Sequence, residues 1–419
     1  NKFLNNPQSL QEIATGAGKC QPLTSKVLTP TGWVNMGDIM VGDSVITPSG
    51  KKSTVLHVFT PGIKKVYEIT FSDGRTARSC EDHIWPVYNI GWSRSATGPL
   101  RNISLKQLIE LKSKTTRSIG IPLATMEHDC DYKQLPMDPW LLGFLLGDGS
   151  FRNGTIKFST GDQELVEKVV SKLDSDYTVK HLEKYDYIIK FSNDVVASEA
   201  RSRLLRDKPR NSKGHIIKGE KFIQSSNKYR QIINELGLGE TTSHTKFIPE
   251  IYFHASLEQR LELIRGLVDS DGTVDKSSVY FTSVSEQLAI GFQRLIHSVG
   301  GIAKIKKRSN RIYVYNGVVT NCSDSFTVST KFPEPWKLIS LTRKIEKTNH
   351  RYQYGPTLKL NITDIKHVST EEVKCIYIDD PAHLYLTNDY IVTHNTITTA
   401  TLSQLSEQYG RTITIVPNK

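Results

Sequence analysis

Ile13-Ala14-Thr15-Gly16-Ala17-Gly18-Lys19-Cys20 near one end, and Ile391-Val392-Thr393-His394-Asn395-Thr396 near the other, decide how this chain is read. The first stretch opens a phosphate-binding loop. Such a loop needs Gly-x-Gly-Lys followed by Ser or Thr, whose hydroxyl reaches magnesium. Here Lys19 is followed by Cys20 and then by strand-like sequence. The missing hydroxyl and helix lie far downstream. Thr396 opens a stretch with helical spacing at Ile397, Leu402 and Leu405, stopped by Gly410. Residues 411–416 then alternate like a strand. Joining Lys19 to Thr396 restores loop, helix and strand, the order a nucleotide-binding α/β unit requires. Residues 20–395 therefore read as an insert that splits the loop.

The flanks are short: residues 1–19 and 396–419. Joined, Gly16, Gly18, Lys19 and Thr396 would hold ATP and magnesium. In the interrupted chain the two halves do not share one loop, so no ATPase is expected before joining. The position five before Gly18 carries Ile13 where simple kinases have Gly. The joined motif, with residues 413–418 as the strand after it, resembles the first motifs of superfamily 2 helicases.

Along the insert, the character changes twice. Residues 20–130 are short β-like runs, 27–28, 41–46, 54–59 and 66–71, between turn signals at Thr29-Pro30-Thr31-Gly32, Pro48-Ser49-Gly50, Pro61-Gly62 and Ser72-Asp73-Gly74. Residues 346–395 return to that character, so one all-β module built from both ends is expected. Between them, 131–345 reads as mixed α/β. Two similar apolar helices stand out there, Pro139-Trp140-Leu141-Leu142-Gly143-Phe144-Leu145-Leu146-Gly147-Asp148-Gly149 and Glu262-Leu263-Ile264-Arg265-Gly266-Leu267-Val268-Asp269-Ser270-Asp271-Gly272. Strand-like sequence follows each, at 155–159 and 278–282, which makes an internal repeat.

Composition excludes several classes. The 419 residues are 37% hydrophobic and 23% charged, ordinary for a globular chain. No apolar run reaches membrane-span length, and residues 1–19 lack a signal-peptide layout, so a cytoplasmic protein with no membrane partner is expected. The net charge of +11 suits a polyanionic partner. The five cysteines are odd in number, scattered and without a C-x-x-C pair. That argues against a disulfide framework or a zinc site.

The chemistry needed for self-removal is present at both junctions. Cys20 offers a thiol able to attack the carbonyl before it. Asn395 carries an amide that can close a five-membered ring on its own carbonyl, helped by high effective molarity. His394 is placed to donate a proton to the departing amine. Thr396 supplies a second nucleophile. Taken singly, each of these is more often an ordinary structural residue; their order at the two halves of one loop favours the reactive reading.

These residues, with the β-rich flanks, resemble the Hint splicing module of inteins. The resemblance covers nearly all of 20–395. The opening motif matches Cys20-Gln21-Pro22-Leu23-Thr24, then Gly32-Trp33 and Gly42-Asp43. The second matches Cys80-Glu81-Asp82-His83, where Cys80 stands in the place of the usual Thr and His83 implies polarisation of the scissile amide. The third matches Cys375 through His383-Leu384-Tyr385-Leu386, with His383 assisting Asn395; Cys375 lies close to a place where the family often has Asp. The resemblance implies splicing without a cofactor, joining Lys19 to Thr396.

The paired helices resemble those of LAGLIDADG homing endonucleases. That likeness implies an α+β domain of pseudo-two-fold symmetry, inserted in the β module, acting as a monomer on double-stranded DNA. Gly143, Gly147 and Gly266 would let the helices meet closely, Gly149 and Gly272 would end them, and Asp148 and Asp271 would hold Mg2+ as metal ligands and catalytic acids. Lys246, in Lys246-Phe247-Ile248-Pro249, matches a lysine motif of the family, with Lys331 a candidate for its symmetric counterpart. A different reading stays open here: a DNA endonuclease or nucleic-acid-binding protein whose β module does not splice.

Overall fold

The computed structural model describes residues 19–88, 99–129, 131–192, 227–309, 312–315, 318–321, 323–348 and 358–395. Gly16, Gly18, Thr396 and the host helix and strand expected after it lie outside these residues.

Strands from both ends of the insert interleave in one β-rich module. Lys52–Phe71 runs antiparallel to Leu360–Ile378, from Ile362 opposite Phe71 to Ile378 opposite Val55. Gln21–Pro22, Ser44–Ile46, Thr76–Cys80 and Gly120–Ile121 complete this six-stranded sheet. A second sheet orders Ile391–His394, Leu384–Thr387, Lys26–Thr29 and Gly32–Asn35. Both sheets bury residues from the two chain ends against each other. Val27, Met36, Val45 and Val55 pack with Ile376, Ile378 and Tyr385. Each such buried side chain contributes about 1.5–3 kcal/mol, so this core is shared between the two ends.

Two strand expectations need correction. Runs 54–59 and 66–71 are one strand, because Pro61-Gly62 does not reverse the chain. Gly62 takes φ +87° opposite Val373, where the pairing register slips. The pair therefore makes a bulge, in which one strand holds an extra residue without turning. The run 41–46 is shortened, since the strand begins at Ser44 and Val41 lies in a turn, 63% exposed. The other three turn signals hold, with Thr29 paired to Gly32 at a hairpin end.

The middle segment repeats one supersecondary unit twice. Helix Pro139–Asp148 leads into a sheet ordered Gly149–Ser150, Ile156–Ser159, Asp186–Phe191, Tyr177–His181. Helix Leu257–Asp271 leads into a sheet ordered Gly272–Asp275, Ser278–Ser283, Ser325–Lys331, Ile302–Arg308. In each half the third strand to be made sits at the edge and a helix, Gln163–Ser171 or Glu286–Ser298, precedes it. One core cluster, from Met137 to Leu341, joins the halves. The two leading helices meet backbone to backbone: a Cβ on Gly143 would strike the Leu263 carbonyl, and one on Gly266 the Trp140 carbonyl. Gly149 and Gly272 end the helices differently from the left-handed glycine cap their position suggests. Both are extended, at φ −85° and −84°, and pass directly into strand.

A buried charge cluster joins the inserted domain to the β module. Asp73 binds Arg75 and lies 3.4 Å from Nε2 of His297. Arg75 also donates to the Asp389 carbonyl at 2.9 Å, two residues before the strand Ile391–His394. No helix among the described residues is long and apolar enough to cross a membrane.

Candidate functional site

Antiparallel pairing builds the upstream junction. Gln21 sits opposite Lys374, and that register sets Cys20 beside Cys375. The two are joined as a disulfide, with their Cα atoms 4.5 Å apart. The cysteine pattern argued against a disulfide framework, and this single bond is one it gave no sign of. A pair separated by 355 residues leaves no spacing signal; only the strand register brings it together. Cys20 is fully buried in a cluster with Cys80, Val66, Val373 and Cys375.

Cys80 brackets the Cys20 backbone, including the amide nitrogen of the Lys19–Cys20 bond. The Cys20 amide N–H donates to Cys80 Sγ at 3.4 Å, and the Cys80 N–H donates to the Cys20 carbonyl at 3.0 Å. Burial pushes the Cys80 thiol up, so it is held neutral. His83 follows one turn later, its N–H bonded to the Cys80 carbonyl. Its fully buried ring is pushed down to about 3 by desolvation, with the neighbouring Lys19 carbonyl pulling the other way. A neutral imidazole thus faces the carbonyl that Cys20 would attack. Burial also lowers Lys19 to about 8.

The downstream junction lies at the end of strand Ile391–His394. His394 Nδ1 is 2.6 Å from the Asn395 carbonyl oxygen. That is the carbonyl the Asn395 side chain would attack, so His394 is placed to polarise it. Burial lowers His394 to about 4. The Asn395 N–H donates to the His383 carbonyl at 2.8 Å, and the His383 and His394 rings lie 6.0 Å apart. His383 has φ +54°, a left-handed backbone for a non-glycine residue. Among the described residues, Asn395 Nδ2 and Oδ1 are buried without a hydrogen-bond partner. Leaving a buried amide unbonded carries a cost, and the group that amide would attack is its own carbonyl.

The two junctions touch. His83 Nε2 is 2.6 Å from Thr393 Oγ1, with both residues completely buried. Thr393 lies in the closing stretch Ile391–Asn395 but was not singled out there as a site residue.

In the inserted domain, Asp148 and Asp271 come together at the ends of the paired helices. Desolvation and then the Asp271 charge push Asp148 up to about 6. Burial raises Asp271. Each carboxylate lies beside a buried lysine. Lys246 Nζ donates to the carbonyls of Leu145, Leu146, Gly147 and Gly149 at 2.7–3.1 Å. Lys344 Nζ donates to those of Val268, Asp269, Ser270 and Gly272 at 2.7–3.3 Å. The symmetric lysine is therefore Lys344; Lys331 sits at the end of the inner strand Ser325–Lys331, at an exposed position. Sequence spacing conceals this, because the two lysines follow their aspartates at different distances. Two repelling carboxylates at one place suit a divalent cation, which magnesium sites commonly complete with phosphate oxygens and water. Among the described residues no cluster of three or more His, Cys, Asp or Glu would cage a metal alone.

Residues 258–325 match the family model described as a LAGLIDADG-like domain. Over 401 residues the chain is 26% identical to the replicative DNA helicase DnaB of Mycobacterium intracellulare, covering 91% of this chain and 59% of that protein. A second DnaB helicase, of Mycobacterium leprae, is 36% identical over 73 residues, 17% of this chain and 12% of that protein. Among solved structures, the MchDnaB-1 intein (N145AA) overlaps 90% of this chain and 98% of its own at 11% identity and a TM-score of 0.24. The homing endonuclease I-DmoI with DNA and Ca overlaps 50% and 95% at 10% identity and 0.28. The chain thus spans 59% and 12% of the lengths of these two helicases.

Proposed function

We propose that this chain, a Hint-type β module with an inserted LAGLIDADG endonuclease domain, removes residues 20–395 from itself and joins Lys19 to Thr396. The observation that carries the reading is the meeting of both junctions at one buried site: His83 beside the Lys19 carbonyl, His394 on the Asn395 carbonyl, and Thr393 bonded to His83.

In the first step the Cys20 thiolate attacks the Lys19 carbonyl carbon. The Lys19–Cys20 amide breaks, a thioester forms, and the freed Cys20 amine takes the proton. The attack needs a free thiol, so a dithiol or a thiol pool must first reduce the bond to Cys375. His83 polarises the carbonyl oxygen, while Cys80 holds the amide nitrogen. The Thr396 hydroxyl then displaces the Cys20 thiol to give an ester. Asn395 Nδ2 attacks its own carbonyl, closes a succinimide and releases the Thr396 amine. That amine attacks the ester carbonyl, regenerating the hydroxyl and leaving a Lys19–Thr396 peptide bond.

The middle domain acts as a double-strand DNA endonuclease. Asp148 and Asp271 would hold Mg2+, which supplies Lewis-acid stabilisation of the phosphoryl oxygens in hydrolysis. Lys246 and Lys344 fix the helix ends that present the carboxylates. Lys304, Lys306, Lys307 and Arg308 lie on the edge strand Ile302–Arg308, on a chain of net charge +11, and would grip the phosphate backbone. Gly16, Gly18, Lys19 and Thr396, once joined, restore the ATP and magnesium site of a helicase-type host. The working site is cytoplasmic and the insert acts as a monomer.

The reading is tested by expressing the chain beside a Cys20→Ala, Asn395→Ala double variant. Wild type should shorten with time under reductant while the double variant stays whole. Equal persistence of both would end the splicing reading. Incubating the purified insert with magnesium and a duplex spanning the uninterrupted host junction tests the nuclease; an uncut duplex with folded protein would end that half.

A further inference from the structure

The residue that joins the two junctions has a role of its own, which rests on the splicing reading above. We propose that Thr393 is a positioning residue for the first step, holding the His83 ring in the tautomer that offers an N–H to the Lys19 carbonyl.

The argument begins with counting protons. A neutral imidazole has one N–H and one bare nitrogen. His83 is fully buried and held neutral, so water does not choose its tautomer. Its Nε2 faces Thr393 Oγ1 at 2.6 Å, which leaves Nδ1 as the nitrogen on the Lys19 side. A threonine hydroxyl can donate to Nε2. The ring proton is then on Nδ1, the nitrogen left to serve the Lys19 carbonyl that lies against the ring. The opposite tautomer would leave only a lone pair for that carbonyl and could not stabilise the developing oxyanion.

Local structure explains why a threonine can reach this place. Thr393 pairs with Tyr385 inside the second sheet. Alternation along the strand puts Thr393 on the same face as Ile391, which packs into the cluster containing Trp85. Trp85 in turn lies 5.3 Å from the His83 ring. The same strand carries His394 and leads to Asn395, so one short element sets groups for both cleavages. Any shift of this strand when Asn395 reacts would alter the His83 hydrogen bond 310 residues away in sequence.

The test uses the full chain with Asn395→Ala, which stops before succinimide formation, after reduction of the Cys20–Cys375 bond. Dithiothreitol cleavage at Lys19–Cys20 reads the thioester. Thr393→Val should slow it by about 10²-fold, the scale of a misplaced proton donor. Thr393→Ser, which keeps the hydroxyl, should stay within about threefold of its parent. Nitrogen-15 NMR of the Cys20→Ala chain, with His83 assigned by a His83→Gln control, should show Nδ1–H for Thr and Ser and Nε2–H for Val. Folded Thr393→Val that cleaves at the parental rate with an unchanged tautomer would overturn the proposal. A parent that never forms thioester would overturn the splicing reading instead, and the NMR signature would still decide the role of Thr393.

Discussion

Cys20 and Cys375, the first residue of the insert and a residue of its long C-terminal strand, are bonded to each other across the register that sets Gln21 opposite Lys374. A nucleophile tied in this way is inert until reduced, because only the thiolate attacks. Chain purified under oxidising conditions should show no thioester or splicing, and added dithiothreitol should start both. Cys375→Ala should react without reductant. Free-thiol counting alongside intact mass checks this; reaction of the oxidised wild type at the reduced rate would contradict it.

His394 is placed on the carbonyl that must be activated at the downstream junction. His394→Gln should slow succinimide formation by about 10²-fold or more, the range of a positioned proton donor. Thioester formation at Cys20 should change little. The measurement is separate timing of cleavage at Lys19–Cys20 and at Asn395–Thr396 by mass spectrometry. An equal loss at both bonds would point to a folding defect.

Three buried histidines set the acid limit of the fold. Burial lowers His83 to about 3, His394 to about 4 and His297 well below its usual value. Unfolding frees each to bind a proton near pH 6.5. Between that pH and the depressed folded values the unfolded state holds more protons, so stability falls as pH falls through this window. Each histidine adds up to about 1.4 kcal/mol per pH unit. Unfolding midpoints of the Cys20→Ala, Asn395→Ala chain should drop from pH 7 to pH 4.5, and His83→Gln should flatten the slope.

The two lysine caps should matter equally. Lys246→Met and Lys344→Met each remove a donor shared by four carbonyls at and just past a helix end, of which those of Leu145 and Val268 keep a backbone N–H. Buried groups left unpaired cost about 1–3 kcal/mol each. Both variants should lower the unfolding midpoint and abolish DNA cleavage, whereas Asp148→Asn and Asp271→Asn should abolish cleavage with little loss of stability. A Lys344→Met protein as stable and active as wild type would remove Lys344 from this role.

Much of this was legible in the sequence for physical reasons. The split phosphate loop marked the junctions, and strand-rich ends predicted one β module built from both ends, although the long pairing of 52–71 with 360–378 that closes it was not foreseen. Gly143 and Gly266 signalled helices in backbone contact, and the structure gives each a carbonyl where a Cβ would be. What the sequence hid depended on long-range register or irregular spacing. Cys375 meets Cys20 only through strand pairing, Lys344 has no motif like that of Lys246, and Thr393 reads as one more β-branched strand residue. Pro61-Gly62 misled because a turn signal was outweighed by continuous pairing on either side.

The most direct test of the account is the junction peptide itself. The full chain, reduced and incubated at neutral pH, is digested and sequenced by tandem mass spectrometry at successive times. The account predicts a peptide in which Lys19 is followed by Thr396, rising in step with a free 20–395 product ending in succinimide or Asn. Release of 20–395 without any Lys19–Thr396 bond would contradict ligation, and a chain that stays intact would contradict the central claim.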